Sequence, residues 1–354
     1  MSRFLSYVHN LRGVAILYVI AAHARGSISD WSRHPEALAN INIFFDAREG
    51  NGTVLFIFIS GFLFQHLTSY KYDFKNFVTQ RFKYIILPYL ILSVPIIILR
   101  VTTHFQSLAL PADFYEHSVF YQVIYYVVTG THMAPFWFIA AMALYYLSSP
   151  VLRLLDNDKF YKFVFPFIFL AGLFTFRSQH NSNPLLAYLH YLPLYILGMC
   201  ASFYKEEIVS KGWKLLLPLL VIYIGVTILE VTGILNFPTG VKFETVINER
   251  VLIFNAIYLK TVLLCFIWML ILYEIRNRRL QLLHIIGDYS YGLFSMHFVL
   301  ILATRKLWTE FIGPIKFSVP TFILYLLFII AISLVTVQLL KKLTGKYSKM
   351  LIGS

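Results

Sequence analysis

The stretch Pro320–Leu340, PTFILYLLFIIAISLVTVQLL, decides the fold class, because its 21 residues include no charged side chain. A helix needs about 20 apolar residues to cross the hydrocarbon core of a bilayer. Leu215–Leu235 and Val251–Tyr273 are apolar runs of similar length. Only 13% of the 354 residues are charged, against about 25% in soluble domains. The sequence therefore predicts an all-α, polytopic membrane protein.

The positive charges orient the predicted helix bundle. Ten candidate spans lie near residues 7–24, 51–69, 84–100, 136–152, 163–176, 185–203, 215–235, 252–273, 288–304 and 319–340. The loops on the N-terminal side then hold 18 basic residues and the opposite loops hold 10, which predicts that both termini are cytoplasmic. A further apolar stretch, 117–129, would abolish this bias if it crossed. It is also too short, so we predict an interfacial or re-entrant helix there, within one transmembrane domain over residues 1–354.

Other features bear on the class of protein. The net charge of +13 does not indicate a nucleic-acid partner, because the basic residues lie in short groups between apolar runs. Cys200 and Cys265 both fall inside such runs, so neither a disulfide nor a metal site is expected. The segment that ends in Ala22-His23-Ala24 is also typical of a secretory signal peptide. We expect it to be retained as the first span.

Arg12 and His23 are the two polar residues of the first span that point to chemistry. Ionisable groups inside a membrane helix are costly and usually face the interior of the bundle. The two residues are eleven apart, almost three helical turns, so their side chains project from one face about 16 Å apart. An arginine that snorkels to the interface and a hydrogen-bonded core histidine are the alternative interpretations.

Five segments resemble, in order, those of the membrane acyltransferase-3 family. They are His9–Ile16 with His23 (an Arg-x10-His pattern), Gly52–Leu63, Arg81 with Leu87-Pro88-Tyr89, Pro135–Ile139 with Pro150, and Ile286–Gly292 with Met296-His297. The chain departs from the family where Tyr84, preceded by Lys83, stands in place of a second arginine. His132 is also further from Trp137 than is usual in relatives. We expect no fused SGNH-type hydrolase domain.

The resemblance implies transfer of an acyl group, usually acetyl, from cytoplasmic acyl-CoA to a hydroxyl of an extracytoplasmic glycan or lipid-linked sugar. A hydroxyl needs a positioned base, and histidine has a suitable pKa. His23 is therefore the expected base, with a covalent acyl-histidine as the alternative. Arg12 would bind the phosphates or the thioester oxygen of the donor. Arg81 and Lys83 are expected to bind the phosphates of CoA, unless they are only positive-inside anchors.

Five further polar or aromatic residues are candidates for substrate binding. They are His132, Trp137, Ser290, His297 and Lys260. Helix-packing hydrogen bonds, or a place in the interfacial aromatic belt for Trp137, are the alternatives. We expect acyl-CoA as the donor, no metal, the bilayer and a glycan as partners, and a multi-pass location in a bacterial inner membrane. A transporter that uses the intramembrane ionisable residues is the second hypothesis, and a structural membrane protein is a third.

Overall fold

The computed structural model describes residues 5–25, 51–107, 109–175, 182–232, 255–313 and 318–353, and this part of the chain is helical without strands. The helices are α1 (Ser6–Arg25), α2 (Asn51–Thr68), α3 (Phe74–Arg81), α4 (Leu87–Thr103), α5 (Val119–Thr129), α6 (Trp137–Leu147), α7 (Ser149–Leu154), α8 (Phe165–Gly172), α9 (Pro184–Phe203), α10 (Lys205–Ser210), α11 (Gly212–Val231), α12 (Ala256–Glu274), α13 (Gln281–Asp288), α14 (Ser290–Phe311), α15 (Val319–Thr344) and α16 (Ser348–Leu351). The π-helical turns Phe82–Ile86 and Phe160–Val164 lead into α4 and α8.

Polar residues start several of the long helices. The side chain of Asn183 accepts hydrogen bonds from the first backbone N–H groups of α9. Ser318 does the same for α15, and Asn255 for α12. These caps satisfy N–H groups that have no partner inside the helix, which matters most in an apolar medium.

Five helices are long and apolar enough to cross a membrane in the described part of the chain, and a bent pair makes a sixth candidate. The five are Phe74–Thr103, Pro184–Phe203, Gly212–Leu229, Ile257–Glu274 and Val319–Leu351, and the pair is Gln281–Asp288 with Ser290–Phe311. The polar residues of α1 lower its mean hydropathy, and the remaining apolar helices are shorter. A multi-pass membrane protein is therefore supported, whereas the count of ten spans stays a prediction.

The relative direction of α2 and α9 bears on the number of crossings between them. Gly61 of α2 lies against Tyr195 of α9, and Gln65, one turn later, accepts a hydrogen bond from Ser202. The two helices therefore run parallel. Parallel packing requires an odd number of crossings between them, which the three predicted spans 84–100, 136–152 and 163–176 supply. A further crossing at 117–129 would make α2 and α9 antiparallel, and α5, with 11 residues, is too short to span.

Glycine brings α2 and α9 close together. A Cβ at Gly61 would meet the backbone carbonyl of Tyr195, and one at Gly198 would meet that of Phe58. Small residues let membrane helices approach closely enough for extensive van der Waals contact. This contact forms the centre of the bundle, and α1 packs against the other side of α2.

The main difference from the predicted spans concerns residues 288–304. The chain bends by 78° at the break between α13 and α14. The second helix begins at Ser290 and continues to Phe311, beyond the predicted end. The bend lies inside the Ile286–Gly292 motif, and it determines the geometry of the candidate site.

Candidate functional site

Arg12 of α1 reaches the start of α14. Its Nη2 donates a hydrogen bond to Ser290 Oγ at 3.0 Å. Ser290 is 1% exposed and is the first residue of α14. The first backbone N–H groups of a helix have no partner inside it, so the bend presents the positive end of α14 beside a guanidinium. Such an arrangement favours an anion.

A cavity of ≈ 200 Å³ opens between α1, α2, α3, α6, α9 and α14. Two arginines, two serines and three tyrosines give it polar character: Arg12, Arg81, Ser60, Ser290, Tyr146, Tyr195 and Tyr291. Phenylalanine, isoleucine and leucine side chains make up most of the remaining wall, and no carboxylate lines the cavity in the described part of the chain. The cavity is therefore positively charged and otherwise apolar.

The π-helical turn after α3 separates the two predicted donor-binding residues. The Arg81 guanidinium lines the cavity, 5.0 Å from the ring centroid of Phe77 and 5.9 Å from that of Tyr146. Lys83 is not among the lining residues, and its Nζ lies 5.3 Å from the ring centroid of Tyr84. The structure thus brings Arg81, but not Lys83, together with Arg12.

A π-helical turn also leaves carbonyl groups free for other partners. The hydroxyl of Tyr291 donates a hydrogen bond to the carbonyl oxygen of Ile85 at 2.6 Å. Tyr291 follows Ser290 on α14, so this bond fixes the start of α14 against the segment that carries Arg81. This hydrogen bond therefore connects the turn next to Arg81 with the start of α14, which Arg12 contacts, and so holds both arginines at one cavity.

His23 lies against His297 and Phe298 of α14. The ring centroids of His23 and His297 are 5.3 Å apart, and that of Phe298 is 5.2 Å from His23. The Nδ1 of His297 is 2.9 Å from the carbonyl oxygen of Leu293, so Nδ1 carries the hydrogen and donates it. Its Nε2 then has a free lone pair, and this buried atom has no hydrogen-bond partner among the described residues.

Arg12 and His23 therefore share one face of α1, as their spacing predicts, because both contact α14. Arg12 lines the cavity, whereas His23 lies outside it, in what we call the histidine compartment (His23, His297 and Phe298). Neither His23 nor His297 is among the described residues that line the cavity. Phe294 lies between the cavity and the histidine compartment: it lines the cavity, and its ring centroid is 6.2 Å from that of His297.

The other predicted substrate residues are not gathered at this site. His132 is fully buried, with Nδ1 3.0 Å from the carbonyl oxygen of Tyr126 and Nε2 2.8 Å from Ser93 Oγ. Burial lowers the pKa of His132 to about 4. Trp137 stacks on Tyr191, with ring centroids 5.9 Å apart.

Lys260 is also fully buried, on α12, and its Nζ lies 5.7 Å from the ring centroid of Tyr223 on α11. None of His132, Trp137 and Lys260 lines the cavity. Their roles in substrate binding stay predictions.

Sequence reasoning missed Ser60, Tyr146 and Tyr195 of the cavity wall. The chain has 24 tyrosines and 33 phenylalanines, so an aromatic residue in a span carries little information about a site. Ser60 precedes Gly61 in the Gly52–Leu63 motif, and that position was the one available signal.

Comparison with known proteins identifies the family. No curated protein and no solved structure matches the chain. A family described as "Acyltransferase domain", the acyltransferase-3 type, matches residues 5–338, nearly the whole chain. This match confirms the resemblance seen in the five motifs. The chain therefore belongs to the acyltransferase-3 family of membrane acyltransferases.

Proposed function

We propose that the protein transfers an acyl group, acetyl above all, from cytoplasmic acyl-CoA to a hydroxyl of an extracytoplasmic glycan or lipid-linked sugar. One observation carries the proposal beyond the family. A single helix, α14, meets Arg12 at Ser290 and His23 at His297. These contacts support an anion site and a histidine pair along one line through the bundle, with Ser290 and His297 about 10 Å apart along α14.

The donor end is the cavity with Arg12 and Arg81. Arginine suits phosphate because its planar guanidinium donates two parallel hydrogen bonds. The cavity, ≈ 200 Å³, is smaller than the roughly 300–1,000 Å³ of sites for whole ligands, so it would hold only part of CoA. Because Arg12 is distant from His23, it suits the phosphates better than the thioester oxygen.

The reaction would take place at the histidine pair. His23 accepts the proton of the acceptor hydroxyl while the hydroxyl oxygen attacks the thioester carbon. The C–S bond breaks, and the CoA thiolate leaves and takes the proton from His23. The free Nε2 lone pair of His297 is suited to accept a hydrogen bond from the ring N–H of His23, and so to position the imidazole of His23.

A covalent route uses the same residues in two steps. His23 attacks the thioester carbon, and the CoA thiolate leaves with the proton of the imidazole N–H. The acceptor hydroxyl then takes the acyl group from the imidazole and returns its own proton to it. We favour the direct route, in which His23 is the base. In both routes the thioester must pass Phe294, so rotation of this ring would gate the transfer.

The proposed location is a bacterial inner membrane, with the donor site facing the cytoplasm. Lys83 would assist electrostatically at the mouth of the donor site or act as a positive-inside anchor. His132, Trp137 and Lys260 would affect the acceptor only indirectly, because their observed contacts are with protein side chains and backbone.

The test is transfer of radiolabel from acetyl-CoA to a lipid-linked sugar by the protein in proteoliposomes. We expect His23→Ala to abolish transfer. Arg81→Ala should raise the KM for acetyl-CoA about tenfold or more, because a charge-assisted hydrogen bond contributes roughly 1.5–3 kcal/mol. Arg278→Ala removes an exposed positive charge that does not line the cavity, so it serves as the control and should leave the KM unchanged.

Two results would contradict the proposal. Full transfer by His23→Ala would remove His23 from the chemistry. Accumulation of a labelled solute inside the vesicles without any acylated product would favour a transporter instead.

A further inference from the structure

Three potential metal ligands meet where α1 contacts α13. His9 is on α1, and His284 and Asp288 are one turn apart on α13. One ligand atom from each of the three lies within 4.8 Å of the other two. Residues separated by four positions on a helix share a face, so α13 presents both of its ligands to His9.

The distances match those between ligands around a small divalent cation. The Nε2 of His9 is 3.3 Å from Asp288 Oδ1, and it donates a hydrogen bond to the carbonyl oxygen of His284 at 3.1 Å, so an ion would take the place of this hydrogen. Zinc binds nitrogen and oxygen at about 2.0–2.2 Å in a tetrahedral arrangement, which places neighbouring ligand atoms about 3.3–3.6 Å apart. His9 Nε2 and Asp288 Oδ1 therefore already have the spacing of one tetrahedral edge. The ligand atoms lie within 4.8 Å of one another, so shifts of less than about 2 Å would bring the remaining pairs to the tetrahedral spacing.

The surroundings also suit an ion. His9 is 9% exposed and fixed by the bundle, whereas the Asp288 side chain is 55% exposed. Solvent can thus reach the ligands and occupy the fourth position. A Cβ at Gly287 would lie 3.0 Å from His9 Nε2, so the glycine permits the close approach of the two helices.

We propose that His9, His284 and Asp288 bind a divalent cation of the zinc class. Imidazole nitrogens and one carboxylate are ligands that zinc prefers, and a water molecule would complete the tetrahedron. This site could not be predicted from the sequence, because His9 and His284 are 275 positions apart. The inference does not depend on the proposed reaction.

The ion would hold the bend that shapes the anion site. His9 lies one turn before Arg12 on α1, and Asp288 lies two residues before Ser290. A bond from the ion to each helix would fix α13 against α1 and so fix the start of α14 opposite Arg12. The ion would thus stabilise the contact of α13 with α1, which supports the donor site, and it would not touch the reacting atoms.

The experiment uses the full-length protein in detergent, without a histidine tag and after removal of metal with a chelator. Zinc binding is measured by isothermal titration calorimetry, and cobalt is used as a coloured substitute. We expect one zinc per chain and a visible cobalt spectrum typical of tetrahedral coordination. His9→Ala and Asp288→Asn should each weaken zinc binding by more than the roughly 10–100-fold that loss of an outer-shell partner costs.

His117→Ala is the matched control. His117 and Asp113 are also four residues apart, with Nε2 and Oδ2 at 3.4 Å, but among the described residues they belong to no three-ligand group. Zinc binding should be unchanged. The proposal is overturned if the wild-type protein binds no zinc, or if Asp288→Asn, which keeps the shape of the side chain, binds zinc as tightly as the wild type.

Discussion

Replacement of Ser290 by alanine tests whether the start of α14 positions Arg12. The hydroxyl of Ser290 accepts a hydrogen bond from Arg12 Nη2 at 3.0 Å, and Ser290 is only 1% exposed. A hydrogen bond to a charged group contributes about 1.5–3 kcal/mol, and about 1.4 kcal/mol corresponds to a factor of ten in rate. We therefore expect kcat/KM for acetyl-CoA to fall roughly 10- to 150-fold in Ser290→Ala.

The assay is transfer of radiolabel in proteoliposomes, with the thermal unfolding midpoint measured on the same preparations. Ser290→Thr keeps the hydroxyl and should recover most of the activity. Ser333→Ala is the control, because Ser333 is a fully buried serine whose hydroxyl has no hydrogen-bond partner among the described residues. If Ser290→Ala keeps kcat/KM within twofold of the wild type, the hydrogen bond does not position Arg12 for donor binding.

Three further predictions concern packing, pH and specificity. Gly61→Ala should destabilise the protein by about 1–3 kcal/mol through overpacking, seen as a lower unfolding midpoint, whereas Gly225→Ala, with nothing within 4 Å of its Cβ, should not; equal midpoints would contradict the close helix contact. Burial lowers the pKa of His132 from 6.5 to about 4. Between these pH values His132 is therefore protonated in the unfolded chain and neutral in the native protein. The contribution of His132 to the free energy of unfolding should therefore fall by up to about 3 kcal/mol as the pH drops from 6.5 towards 4. His132→Gln should reduce the slope by this amount, and a slope equal to that of the wild type would refute the prediction. Phe294→Ala should shift the preference from acetyl to longer acyl donors by about tenfold in the ratio of kcat/KM values, and an unchanged ratio would show that Phe294 does not separate the cavity from the histidine compartment.

The fold class could be predicted from the sequence because the bilayer imposes a simple constraint. A stretch such as Pro320–Leu340 has no stable place in water, and helices satisfy every backbone hydrogen bond within one segment. The shared face of Arg12 and His23 was predictable for a similar reason, since helical geometry alone relates residues eleven apart. Leu87-Pro88 also marks the start of α4, directly after the π-helical turn Phe82–Ile86.

The remaining features depend on contacts between distant segments. Nothing in the apolar pattern indicates that the chain bends at Tyr289, since the residues on both sides are compatible with one continuous helix. Arg81 and Lys83 look equivalent as neighbouring cations, and only the π-helical turn between α3 and α4 directs one of them to the cavity. His9 and Asp288 come together only because α13 folds back against α1.

The parallel packing of α2 and α9 has a consequence for how the protein is made. Gly61 and Tyr195, which touch in the folded protein, are 134 positions apart in the chain. At about 5–20 residues per second, the ribosome needs roughly 7–27 s to synthesise that interval. During this time α2 is in the membrane with the glycine face that α9 will cover open to lipid or to an insertion factor. The centre of the bundle is therefore assembled late, and a change at Gly61 would reduce the yield of inserted protein before it affected any enzymatic rate.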